Sequence, residues 1–98
     1  MTDDYVVRDN PEELRYEILR GGEVVGGIWY RTAPGVIVLI HTEVAPTEEG
    51  RGVGSRLVRA VFEDARARGL RIIPVCAFVK HYLERHPEYA DVVASPAT

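Results

Sequence analysis

Hydrophobic and polar positions alternate through the first half of the chain and predict a series of strands. The alternation over residues 15–19 (RYEIL) ends at the Gly21-Gly22 pair, which is typical of a tight turn. Strand-favouring residues continue over 24–31, and the turn residues 33–35 separate them from residues 36–44 (VIVLIHTEV). The last segment begins wholly apolar, as a central strand does. Three strands joined by short turns predict an antiparallel meander.

After residue 52 the apolar positions change to a helical period. Gly69 stands where a left-handed C-terminal cap belongs, and the pairs Arg59/Glu63 and Asp64/Arg68 have the i,i+4 spacing of ion pairs on a helix surface. The predicted buried face consists of six residues: Val53, Leu57, Val58, Val61, Phe62 and Ala65.

A second apolar strand is predicted over residues 71–76 (RIIPVC), and it contains a proline. Strand, long helix and strand in this order predict a parallel pair with a right-handed crossover. Pro74 cannot donate a ladder hydrogen bond, so it fits only if the partner strand has separated there. A short helix over 78–85 and a last helical turn over 89–93 follow. The predicted fold class is α/β, a mixed sheet in which an antiparallel meander precedes a parallel β-α-β unit and a C-terminal helix.

Composition places this fold in one globular domain, residues 1–98. Apolar residues make up 46% and charged residues 28%, which excludes a disordered chain. The net charge of −3 argues against nucleic-acid binding, and the longest aliphatic run, residues 36–40, is too short for a membrane span. With a single cysteine and no leader pattern, we expect a cytoplasmic protein. The polar residues 1–12 are expected to be irregular.

Alternate glycines between a strand and the long helix predict an anion site. In residues 49–55 (EGRGVGS) they let backbone N–H groups turn inward, and the helix behind adds its own free N–H groups and positive dipole end. The loop lacks the lysine of a P-loop, and Ser55 replaces the third glycine of a dinucleotide fingerprint. The pattern therefore predicts a phosphate or pyrophosphate ligand of another kind.

Residues 41–70 (HTEVAPTEEGRGVGSRLVRAVFEDARARGL) resemble motif A of the Gcn5-related N-acetyltransferases, and residues 71–93 (RIIPVCAFVKHYLERHPEYADVV) resemble the strand and helix that follow it in that superfamily. The resemblance covers roughly residues 14–94. It implies acetyl-CoA as cosubstrate and two strands that splay apart for its pantetheine arm, which would explain Pro74. The implied cofactor-binding residues are Val44, Gly50, Arg51, Gly52, Val53, Gly54 and Ser55.

The chain departs from the superfamily pattern at one position of this loop. Glu49 stands where the motif has Gln or Arg, so an acid lies beside the implied pyrophosphate. Arg51 and Arg56 are better suited to compensate the phosphate charge. More narrowly, the chain resembles the short one-domain branch that has a cysteine at the end of the strand after motif A and an HPEY tail.

Amine acetylation needs a base, a polarised thioester and a proton for the leaving thiolate. His41 and Glu43 are two apart on one strand and therefore share a face. Glu43 matches the position that often supplies the base in the superfamily, and His41 is the alternative. Tyr82 matches the tyrosine that often protonates the coenzyme A thiolate, although helical spacing from Phe78 is equally typical of core. We predict no metal site.

Cys76 is the remaining catalytic candidate. A lone cysteine on an apolar strand is usually packing. Its position before a helix start favours the thiolate, and the short branch has a cysteine there. We therefore predict that it is an acetyl-accepting nucleophile or lines the acetyl pocket.

The remaining expectations concern the acceptor side, the partners and an alternative function. The resemblance implies an acceptor side that is open or completed by a second subunit, because only Gly21-Gly22 stands where larger members have helices. Trp29 and Tyr30 are interpreted as core and sheet surface and not as a binding platform. The predicted partners are acetyl-CoA and an unidentified amine, in a monomer or homodimer. The alternative function is a non-catalytic coenzyme A-binding or interaction module, which Glu49 favours.

Overall fold

A five-stranded sheet in the order β1-β2-β3-β4-β5 carries two helices on one face. The computed structural model describes residues 4–94. A short 3₁₀ turn, Pro46–Glu48, precedes the long helix, and another, Pro87–Val92, follows the second helix. The strands and helices are β1 (Tyr5–Asn10), β2 (Arg15–Arg20), β3 (Glu23–Ala33), β4 (Val36–Val44), α1 (Val53–Arg68), β5 (Arg71–Pro74) and α2 (Ala77–Arg85). The predicted α/β class and the parallel β4–β5 pair are confirmed.

The first strand was missed by the sequence prediction. We expected irregular chain over residues 1–12, but β1 pairs antiparallel with β2 from Tyr5 opposite Arg20 to Asn10 opposite Arg15. Only Tyr5 and Val7 supply apolar side chains to the core, so the segment is too polar for its alternation to stand out. The meander therefore has four strands. Residues 1–3 lie outside the described residues.

The core lies between one face of the sheet and the apolar side of α1. Gly69 ends that helix as predicted, in the left-handed region at φ +70°, with its N–H bonded to the last turn. The predicted Asp64–Arg68 pair is present at 3.1 Å. The Arg59–Glu63 pair was wrong, because Glu63 accepts a hydrogen bond from the Tyr89 hydroxyl instead. The six residues predicted to form the buried face of α1 are all buried: Val53, Leu57, Val58, Val61, Phe62 and Ala65.

Strand β5 pairs only with the first four residues of β4. The parallel register ends where Leu39 meets Pro74, and the Leu39 carbonyl accepts the N–H groups of both Val75 (2.9 Å) and Cys76 (3.0 Å). The predicted strand over 71–76 is thus two residues too long, because Pro74 ends it. Beyond Leu39, β4 continues to Val44 without β5 beside it. This splay is what the resemblance implied.

A bulge in β4 decides which side chains face the helices. Tyr30 of β3 lies opposite Leu39 while Trp29 lies opposite His41, so Ile40 has no partner on β3. The extra residue shifts by one position the alternation of β4 side chains between the two faces of the sheet. Consequently Leu39 and Thr42 both face the helices, whereas His41 and Glu43 face the other side.

We call the side of the sheet away from the helices the outer face. Both helices belong to one core with the inner side chains of the sheet, and within residues 4–94 no helix packs on the outer face. Its side chains include the exposed Val6, Val24 and Ile73. The face is therefore open to solvent over most of the sheet.

Candidate functional site

The glycine loop encloses a cavity at the start of α1, which we call the loop cavity. Gly50 and Gly52 have φ +82° and +72°, a backbone region open mainly to glycine, and a Cβ at either would meet no atom within 4 Å. Gly52 precedes the first turn of α1, whose N–H groups have no partner inside the helix. The cavity measures about 250 Å³ and is lined by Val44, Glu48, Glu49, Gly50, Gly52, Val53, Gly54, Ser55 and Phe78.

Of the predicted cofactor-binding residues, the structure places six around this cavity. The exception is Arg51, which is exposed on the loop but does not line the cavity. Sequence reasoning missed Phe78. Its ring packs so closely on Gly54 that a Cβ there would lie 2.6 Å from Cζ, so glycine at 54 makes room for an aromatic wall.

Buried Glu48 fixes the loop to the beginning of the chain. Its carboxylate accepts hydrogen bonds from the Tyr5 hydroxyl at 2.7 Å and from Arg20 Nη2 at 2.6 Å. These bonds hold the Glu48 pKa below its ordinary range. The sequence gives no sign of this role, because the partners lie on two strands far from residue 48 and one of those strands was not predicted.

His41 and Glu43 form a hydrogen-bonded pair on the outer face. His41 Nε2 lies 2.8 Å from Glu43 Oε2, and both side chains are more than half exposed. The Trp29 ring lies 5.7 Å from the imidazole, measured between ring centroids. The prediction that the two share a face is confirmed. The arrangement can pass a proton between carboxylate, imidazole and solvent.

Cys76 lies on the opposite side of the sheet from Glu43. Its Sγ lies 3.1 Å from Thr42 Oγ1, and the residue is 8% exposed. It is the N-cap of α2 and not the last residue of β5, which corrects the expected strand end. Helix position and the hydroxyl contact both favour a polarised thiol.

Tyr82 belongs to the core. Its ring stacks on His86 at 4.0 Å and lies 6.1 Å from Phe62, again between centroids. Within residues 4–94 its hydroxyl makes no hydrogen bond. Burial raises the Tyr82 pKa above the ordinary value, so the phenol keeps its proton at neutral pH.

A second cavity, the outer groove, lies across the outer face beside Glu43. It measures about 310 Å³ and shares only Val44 with the loop cavity. Gly27 is its floor, because a side chain there would meet the Trp29 ring at 3.5 Å. Tyr30 is buried in the core, whereas Trp29 lies at the sheet surface and, against the interpretation from the sequence, forms a wall of the groove.

Two structural observations bear on other functions. Within the described residues no three His, Cys, Asp or Glu side chains are grouped to hold a metal ion. Among the helices of residues 4–94, none is long and apolar enough to cross a membrane.

Comparison with known proteins decides the family. The model of the GCN5-related N-acetyltransferases matches residues 15–92. The chain belongs to this family. It is also similar, at 33% identity and TM-score 0.70, to the NMR solution structure of a GCN5-like protein from Staphylococcus aureus, and the match covers 94% of this chain and 90% of that one.

More distant solved structures share this fold. A ribosomal-protein-S18-alanine N-acetyltransferase from Escherichia coli is 15% identical over 67% of this chain, with TM-score 0.59. A GNAT acetyltransferase from Brucella melitensis, determined in complex with acetyl-CoA, is 23% identical over 65% of this chain, with TM-score 0.54. The matches cover 43% and 47% of those two proteins.

The candidate site therefore has two sides. The loop cavity and the Thr42–Cys76 contact lie with the helices, whereas the His41–Glu43 pair and the outer groove lie on the open face. Residues 40–44 of β4, which have no β5 beside them, separate the two sides.

Proposed function

We propose that this protein transfers the acetyl group of acetyl-CoA to an amine. The observation that carries the proposal is the position of the loop cavity: a backbone anion site opens directly onto the part of β4 that has lost its neighbour. A ligand with a pyrophosphate and an amide-containing arm fits such a pair of features, because the first accepts N–H bonds and the second pairs with a free strand edge.

In this proposal the loop binds the pyrophosphate through backbone N–H groups. Gly50, Gly52 and the first turn of α1 supply these donors without side chains in the way. Positive charge comes from Arg51 and Arg56, whose guanidinium lies 4.9 Å from the centroid of the Tyr5 ring. Glu49 contributes no donor, since its N–H is bonded to the Pro46 carbonyl at 3.2 Å and its carboxylate would repel phosphate.

The arm of acetyl-CoA then runs along the free edge of β4 toward the splay. There the amine nitrogen attacks the thioester carbonyl, the tetrahedral intermediate collapses, and the carbon–sulfur bond breaks. Glu43, directly or through water, takes the proton that the amine loses, with His41 as its hydrogen-bonded partner. Tyr82, whose hydroxyl makes no hydrogen bond within residues 4–94, gives a proton to the departing thiolate.

Cys76 offers a two-step route to the same product. Its thiolate would attack the thioester, release coenzyme A and hold the acetyl group until the amine arrives. Since Cys76 and Glu43 lie on opposite sides of the sheet, the acyl carbon would have to sit in the gap between β4 and β5. In the direct route the thiol instead lines the acetyl pocket beside Thr42.

The same proposal covers the branch of the family, the location, the oligomeric state and the acceptor. We place the chain in the short branch with a cysteine near the end of β5, as a single cytoplasmic domain acting as a monomer or homodimer without nucleic acid or membrane. The acceptor is an amine of a peptide, a protein or a small molecule.

A non-catalytic coenzyme A-binding or interaction module is the second candidate. Glu49 beside the phosphate site and the uncovered outer face favour it. Incubation with acetyl-CoA and a panel of amines, with free thiol measured, separates the two. Amine-dependent thiol release supports transfer. Coenzyme A binding by calorimetry without thiol release from any amine supports the module.

A further inference from the structure

The outer groove ends on a charged cluster that the acetyl-transfer chemistry does not use. Glu17 is 1% exposed, yet it lies on the open face. Its carboxylate accepts hydrogen bonds from Arg8 Nε at 2.9 Å, Arg15 Nε at 2.6 Å and Asn10 Nδ2 at 3.1 Å. Two guanidinium groups thus surround one carboxylate, which leaves a net charge of about +1.

The cluster still has donors to offer. Each arginine uses Nε for Glu17, and no acceptor among residues 4–94 binds the Nη atoms of Arg8 or Arg15 through a hydrogen bond. The Arg8 side chain is 56% exposed, and Arg15 lies 5.4 Å over the Trp29 ring that walls the groove. A carboxylate entering from solvent therefore meets free guanidinium N–H groups and a stacked aromatic.

Strand register sets the distance from this cluster to the catalytic side. Glu17 lies opposite Gly27 on β3, and Gly27 lies opposite Glu43 on β4. Two inter-strand steps separate the backbones of Glu17 and Glu43 by roughly 10 Å. Because Gly27 has no side chain, the Trp29 ring lies over the backbone between them, and the outer groove runs beside this ring from Arg15 to Glu43.

We propose that the outer groove binds the acceptor as an extended peptide, with its amine at Glu43 and an acidic side chain at Arg8 and Arg15. Roughly 10 Å corresponds to about three residues of extended chain. A floor and a single wall would leave a small ligand mostly exposed, whereas pockets for small molecules bury about 70–90% of the ligand. The uncovered face suits a segment of another protein. This inference rests on the proposed acetyl transfer.

Hexapeptide amides with a free N-terminus test this assignment. Peptides with Asp at position 3, 4 or 5 are compared with their Asn counterparts by kcat/KM for coenzyme A release. We expect the best Asp peptide to exceed its Asn counterpart by about three- to tenfold. Arg8→Gln should remove the preference, whereas Arg85→Gln, an exposed arginine on α2, should retain it. A ratio of one in the wild type, or a preference that survives Arg8→Gln, overturns the proposal.

The only tryptophan of the chain gives a readout that does not need turnover. Trp29 fluorescence is titrated with the same peptides in the presence of coenzyme A. Tighter saturable binding of Asp peptides, lost in Arg8→Gln, supports the groove assignment even where thiol release is absent, and then only the proposed activity fails. Equal binding of Asp and Asn peptides, or more efficient acetylation of free lysine than of any peptide, contradicts the peptide assignment.

Discussion

Thr42 Oγ1 lies 3.1 Å from Cys76 Sγ across the point where β4 and β5 separate. The contact joins the half of β4 that has no β5 beside it to the N-cap residue of α2. It gives the thiol a polar neighbour in an otherwise apolar environment. The role of this thiol is therefore open to direct measurement.

If Cys76 accepts the acetyl group, intact-mass spectrometry after acetyl-CoA treatment will show one added acetyl in the wild type and none in Cys76→Ser. Thr42→Val keeps the side-chain shape but removes the hydroxyl, so acetylation should slow while the site remains. An unmodified wild type together with a fully active Cys76→Ala would leave Cys76 as a packing residue.

Gly52→Ala should weaken coenzyme A binding by tenfold or more, as a Cβ intrudes on the backbone approach that phosphate requires. The same substitution at φ +72° strains the backbone by about 1–2 kcal/mol. Gly35→Ala is a matched control, since Gly35 has φ +76°, equally open surroundings and no place at the loop cavity. The midpoint temperature of unfolding should fall by a similar amount in both variants. Calorimetry should show a loss of coenzyme A affinity only for the substitution at position 52.

Glu43→Gln should lower kcat by about 10²–10⁴, the range for loss of a general base. Affinity for acetyl-CoA should change little, because the carboxylate faces away from the loop cavity. Glu84→Gln serves as control, since Glu84 also pairs with a histidine on the surface, at 3.6 Å from His81. Full activity of Glu43→Gln combined with an inactive His41→Ala would make His41 the general base and Glu43 its partner.

Tyr82→Phe should lower kcat by about 10² if the phenol protonates the leaving thiolate; a thiolate leaves readily, so we expect the lower end of the general-acid range. The fold should persist because no hydrogen bond is lost. Tyr89→Phe removes a neighbouring hydroxyl that bonds to Glu63 and should keep activity while lowering stability. Unchanged kcat in Tyr82→Phe assigns Tyr82 to the core alone.

Acid should destabilise the protein in part through Glu17. Burial opposes ionisation of this carboxylate, but its hydrogen bonds, led by that from Arg15, outweigh burial and hold the pKa below the ordinary value. With a folded pKa below the unfolded value of about 4.3, the contribution is complete above that pH and is lost as pH falls through the folded pKa. The free energy of unfolding, measured with denaturant at several pH values, should fall less steeply toward acid pH for Glu17→Gln than for the wild type or for exposed Glu12→Gln.

The elements with a strong apolar period were predictable from the sequence. Helix α1 and its Gly69 cap follow from local spacing, and the splay follows from Pro74 and the resemblance. Strand β1 was missed because Tyr5 and Val7 are its only apolar contributions to the core.

Parts of the site that depend on tertiary register could not be predicted. The bulge at Ile40 places Glu43 and Cys76 on opposite sides, and the sequence carries no mark of it. The partners of Glu17 and Glu48 come from other strands, so single-sequence reasoning has no access to them.

The Glu48 anchor has a thermodynamic consequence for ligand binding. Because Tyr5 and Arg20 hold the residue that precedes the glycine loop, the loop takes its shape when the sheet forms. A ligand then meets a ready-made cradle, and little conformational entropy is lost on association. Changes in the first two strands, far from any bound molecule, should therefore appear as faster dissociation and as a more negative entropy of binding.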